Sequence, residues 1–138
     1  AGFLYIRIVI YCKTKKSTFM KSTKIIYWVT TSIICLFAST GIFFMNSEMA
    51  IKGTEHLGIP RYLSLEVSIG QFIGMLLLII PAVPARFKEW AYVGFGILYL
   101  TALNAHLAVG DTIAEILMPV LFFGLLLTSY LSYHKLRA

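Results

Sequence analysis

Four long runs of apolar residues separated by short polar stretches organise the chain: Lys24 to Met45, Tyr62 to Ile80, Glu89 to Ala108 and Ile113 to Tyr133. A bilayer core about 30 Å thick is crossed by roughly 20 residues of helix, so each run predicts one transmembrane helix. Barrel strands alternate apolar and polar residues over about 10 positions, whereas "GMLLLII" and "VLFFGLLL" are apolar on every side. The connections "NSEMAIKGTEHLGIPR", "PAVPARFK" and "VGDT" are too short to hold a soluble domain, and they force neighbouring helices to pack antiparallel. The expected fold is therefore all-α: an integral membrane, up-down antiparallel four-helix transmembrane bundle.

Composition agrees. The 138 residues are 59% hydrophobic and 13% charged, with a mean hydropathy of +0.82, far from the balance of a soluble domain. The first nineteen residues read differently, with "AGFLYIRIVIYC" followed by the basic "KTKK" before Met20. Their apolar part is about ten residues long, too short to span, and it contains Arg7. The basic residues follow the apolar part and no small-residue cleavage site is present, so the pattern is not that of a signal peptide. Residues 1–19 are set apart as an N-terminal extension, with the natural start at Met20, and residues 20–138 as the membrane domain. A short segment lying on the membrane surface is the alternative for 1–19.

The charge pattern gives an orientation. Lys21, Lys24, Arg86, Lys88, Lys135 and Arg137 fall at one end of the expected bundle, and Lys52 and Arg61 at the other. Basic residues accumulate on the cytoplasmic side, which puts both termini there, in the cytoplasmic membrane of a bacterium. The net charge of +6 is then topology signal and contact with the anionic headgroups of the lipid bilayer, not a nucleic-acid surface. A protein partner in the membrane or on its outer side is also open.

On that topology Glu55, His56, Asn104, Asp111 and Glu115 form a polar outer mouth. Thr112 and Glu115 read as a capping box, Asp111 after Gly110 as a turn residue, and His106 either as a last-turn histidine or as a functional group. Glu66 lies about one turn inside the second helix, and an intramembrane carboxylate marks a function or a specific partner. Glu66, Gly70 and Gly74 fall at i, i+4 and i+8, so a glycine packing face is expected to turn Glu66 inward. Glu66 and His106 are the candidates for proton exchange. Gln71 and Asn104 read as interhelical hydrogen-bonding amides, and Pro119 as a kink in the last helix.

Tyr27, Trp28, Trp90, Tyr92 and Tyr133 read as an inner interfacial belt, with Tyr62 at the outer boundary. Cys12 and Cys35 form no redox or haem motif, and no metal-ligand spacing, phosphate loop or nucleophile elbow is present.

"EHLGIPRYL" (Glu55 to Leu63), the "PAVP" turn, "KEWAYVGFGILYLTALNAHLAVGD" (Lys88 to Asp111) and a last span ending "YHKLRA" resemble the DoxX-like family of small bacterial four-helix membrane proteins, from about Met20 to the C-terminus. That family takes its name from the membrane subunit of an archaeal thiosulfate:quinone oxidoreductase. The resemblance implies a membrane subunit or quinone-proximal component of a redox complex, with quinone as the implied cofactor. Many relatives carry a lysine where this chain has Gln71 in "GQFIG", which puts in doubt any chemistry that rests on that lysine. A non-catalytic membrane module that binds a partner protein or lipid is the second reading. A small-solute transporter is the third, disfavoured because neither an internal repeat nor a pair of broken helices is visible.

Overall fold

The computed structural model describes residues 2–138 as five helices: α1 (Gly2–Phe43), α2 (Glu48–His56), α3 (Arg61–Ile79), α4 (Ala85–Val109) and α5 (Ile113–Arg137). Four of them, α1, α3, α4 and α5, are long and apolar enough to cross a membrane. No strand occurs among the described residues. Each long helix packs on two others, α1 on α3 and α5, and α4 on α3 and α5, so the four close into a ring with consecutive spans antiparallel. The up-down membrane bundle expected from the apolar runs is the observed fold.

Local chemistry sets the breaks. Ile80, which caps α3, is extended at ψ 116°, as the residue before a proline must be, and Pro81 follows. Pro60 and Pro84 occupy the N-caps of α3 and α4. Gly110 ends α4 in the left-handed region at φ 74° while its N–H bonds the carbonyls of His106 and Leu107, a conformation in which a side chain would be strained. In α5, Pro119 lies inside one continuous helix from Ile113 to Arg137.

Two features depart from the pattern read along the chain. First, α1 begins at Gly2, so residues 2–19 continue the first span as helix, and none of their side chains is buried. At 1.5 Å per residue, a helix of 42 residues is about 63 Å long, roughly twice a bilayer core. Second, the first connection contains α2, capped by Ser47, whose hydroxyl accepts from the Ala50 N–H at 3.2 Å. α2 buries no residue.

The surface is apolar and the interior mixed, as expected where lipid is the solvent. Ile69, Ile73, Val93, Ile97, Leu117 and Leu121 are exposed, whereas Thr31 and Ser129 are among the most deeply buried side chains, with Ile34 and Leu78. Helix association in lipid gains little from hiding apolar surface and depends on close packing and interhelical hydrogen bonds. Both are present: Phe37 stacks on Phe122 at 4.1 Å, and the Thr31 and Ser129 hydroxyls meet at 2.7 Å.

A histidine and aspartate cluster, a lipid-open groove and a buried hydroxyl network

The end of the bundle that holds α2, the start of α3 and the α4–α5 turn is here the distal end. The opposite, basic end holds Lys24, Arg86, Lys88, Lys135 and Arg137. At the distal end Gly110 turns the chain so that Asp111 faces back over α4, and its carboxylate takes two imidazoles. His106 Nδ1 lies 2.6 Å from Asp111 Oδ2, and His56 Nε2, from α2, lies 2.6 Å from Asp111 Oδ1. The Asp111 side chain is 7% exposed, that of His106 23% and that of His56 59%. The hydrogen bond to Asp111, and then its charge, raise the His56 pKa above the ordinary 6.5. Bonds from His56 and then His106 lower that of Asp111 below the ordinary 3.8, because both stabilise the ionised carboxylate.

The other residues of the expected mouth lie apart from this cluster. Glu115 accepts from the Thr112 N–H at 3.0 Å and from the Thr112 hydroxyl at 2.7 Å, capping α5. Glu55 and Asn104 are exposed, with no side-chain hydrogen bond among the described residues. Glu66, expected to turn inward, is exposed on α3, and the partner of His106 is Asp111 instead. The spacing argument failed at Gly70. A Cβ added at Gly74 would stand 2.9 Å from Phe95 Cε2, whereas one at Gly70 would meet nothing within 4 Å. Of the two glycines only Gly74 packs against a neighbouring helix.

Gly70 instead lines a groove of about 320 Å³ between α3 and α4, with Gln71, Gly74, Trp90, Gly94 and Phe95. Gly94 also has nothing within 4 Å of an added Cβ. The Gln71 amide reaches toward α1, where its Oε1 would stand 2.6 Å from a Cβ at Gly41, and it makes no hydrogen bond among the described residues. Gly41 thus leaves room for the Gln71 amide, the movable end of a flexible side chain.

The sequence reading also missed a buried polar network toward the basic end. Ser129 joins three helices, its hydroxyl meeting Thr31 of α1 at 2.7 Å and Tyr92 of α4 at 2.8 Å. Lys88, read from the sequence only as a topology signal, is buried. Its Nζ donates to the Leu78 carbonyl at 3.2 Å near the end of α3 and stands 5.9 Å from the Tyr133 ring. A cation there complements the helix C-terminus. Tyr27, Tyr92 and Tyr133 are core residues and not a belt, while Trp28, Trp90 and Tyr62 are exposed. The available signal was Lys88, Tyr92, Phe95 and Tyr99 at i, i+4, i+7 and i+11, one face of α4. No group of three His, Cys, Asp or Glu among the described residues is arranged to hold a metal ion.

The model of the DoxX-like family matches residues 28–129, a stretch that includes Ser129, the groove and all three residues of the distal cluster. No curated protein and no solved structure matches the chain.

Proposed function

Because the chain belongs to the DoxX-like family, we propose that it serves as a membrane subunit of a redox complex, with the groove between α3 and α4 receiving a quinone-class molecule. The groove carries this reading. It is largely apolar, it opens toward lipid, and Gly70 and Gly94 leave space in it that a side chain would fill. A quinone carries electrons and protons within the lipid phase. Here Trp90 and Phe95 would pack on the ring, and Gly70 and Gly94 would admit it.

The test uses the protein with Trp28 changed to Phe, which leaves Trp90 as the only indole, and titrates it with a short-chain ubiquinone in detergent. Saturable quenching is expected. Gly94→Leu should weaken it about tenfold or more, the cost of filling a fitted space, while Gly124→Leu, a site on α5 with nothing within 4 Å, should not. Unchanged binding in Gly94→Leu would remove the groove from the account. Saturation by a phospholipid but not by the quinone would favour the non-catalytic lipid-binding module.

The proposed orientation places the basic end in the cytoplasm of a bacterial cell. Reporters fused after Lys135 and within Pro84 to Lys88 should be cytoplasmic, and one within Asn46 to Thr54 should lie outside. The reverse pattern would put the histidine cluster on the cytoplasmic face.

A further inference from the structure

α2 has little to hold it. It buries no residue, and the helix it packs on most is α3, by few contacts. Apart from His56, its side-chain hydrogen bonds and the Lys52–Glu48 contact at 3.7 Å stay within the helix and its cap. Among the described residues, one side-chain hydrogen bond ties α2 to another part of the chain: His56 Nε2 to Asp111 Oδ1 at 2.6 Å. Asp111 itself is held, with its second oxygen on His106 and its N–H on the His106 carbonyl at 3.1 Å.

We propose that the His56–Asp111–His106 cluster is a proton-binding site that fastens α2 across the distal end of the bundle, with the proton on His56 setting how firmly. The site spans solvent and protein. His56 is more than half exposed and so meets protons from the aqueous phase, whereas Asp111 is almost covered and keeps its charge close to both rings. Neutral His56 still donates one N–H to the carboxylate. The imidazolium adds a charge-assisted bond, which is roughly twice as strong.

The direction follows from linkage. A histidine whose folded pKa is raised contributes stability that is full below its ordinary 6.5 and is lost as pH rises through the folded value. Asp111, whose pKa is lowered, contributes above its ordinary 3.8 and loses that contribution as pH falls through its own folded value. α2 is therefore held most firmly in mildly acidic solution and loosens toward alkaline pH. The other charged group that acts on His56 is Glu115 on α5, which also favours its protonated form; of the charged residues of α3, which packs against α2, Arg61 is bonded to Asn46 at 2.6 Å and Glu66 is exposed. This inference does not rest on the groove or on any quinone.

Hydrogen exchange of the α2 backbone amides in the full-length protein, corrected for the intrinsic pH dependence of exchange, tests it. Protection should fall severalfold between about pH 6 and about pH 9, as His56 gives up the proton that strengthens its bond to Asp111. His56→Gln, which keeps a neutral donor but cannot titrate, should make α2 protection independent of pH. Asp111→Asn should lower it at every pH while α3, α4 and α5 stay protected, which shows that the variant is folded. Wild-type protection that is flat over this range, or a pH dependence that survives in His56→Gln, would overturn the proposal. Loss of the dependence in His106→Gln alone would also do so, because the titrating group would then be the wrong histidine.

Discussion

Gly74→Leu should destabilise the bundle in detergent by about 2–3 kcal/mol, the cost of forcing a large side chain into a packed contact. A Cβ at this position would already stand 2.9 Å from Phe95 Cε2 and 3.3 Å from Cζ. Phe95 is 4% exposed and stacks on Tyr99 at 6.1 Å, so its ring has little room to retreat. The strain would then fall on the spacing between α3 and α4, the less closely packed of the two seams that α4 makes. Gly70→Leu, one turn away on the same helix, meets only open space and should cost under about 1 kcal/mol, as surface changes do, while narrowing the groove. Denaturant unfolding followed by helical circular dichroism compares the two variants, with Ile73→Ala on the exposed face as a reference. Equal losses at Gly70 and Gly74 would mean that Phe95 is not what requires glycine.

The same two glycines show how far the sequence could be read. The four spans are legible because the bilayer demands length and apolarity, and the runs ending near Met45, Ile80, Ala108 and Tyr133 supply both. Which face of each helix turns inward is not legible, because a helix that is apolar all round gives no polar side to mark its exterior. Glu66, Gly70 and Gly74 share a spacing, yet Glu66 and Gly70 lie outside and only Gly74 packs on a neighbouring helix. Tyr27, Tyr92 and Tyr133 lie at the depth expected of a belt, and depth alone could not show that they are buried. The continuation of α1 through "KTKK" was hidden by reading hydropathy alone, since lysine ends an apolar run but is a good helix former. α2 has only nine residues, with Ser47 before Glu48 as its one local signal. Of the distal cluster, His56 and Asp111 were identifiable as mouth residues and His106 as a candidate functional group. Their meeting depends on the turn at Gly110 and on the placement of α2 across 55 residues of chain, which no local pattern records.

Ser129→Val should be comparably damaging, at about 2–4 kcal/mol, because it adds volume at a closed site and removes two interhelical hydrogen bonds at once. Ser129 is 0% exposed, so the added methyl groups fall under the overpacking cost of about 1–3 kcal/mol. The bonds to Thr31 and Tyr92 add about 0.6 kcal/mol each, the average for such bonds in a membrane bundle. Two further variants separate the contributions. Ser129→Ala keeps the space and loses the hydroxyl, so it should cost about 1–2 kcal/mol. Ser129→Thr keeps the hydroxyl and adds one methyl, and its loss reports packing. A Ser129→Ala that unfolds with wild-type stability would show that Thr31 and Tyr92 bond each other once the serine oxygen is gone, and that steric fit, not hydrogen bonding, holds α1, α4 and α5 together at this depth. If Ser129→Ala is instead the worse of the two, the three-helix hydroxyl junction is the stronger tie, as expected where no water is present to replace a lost partner.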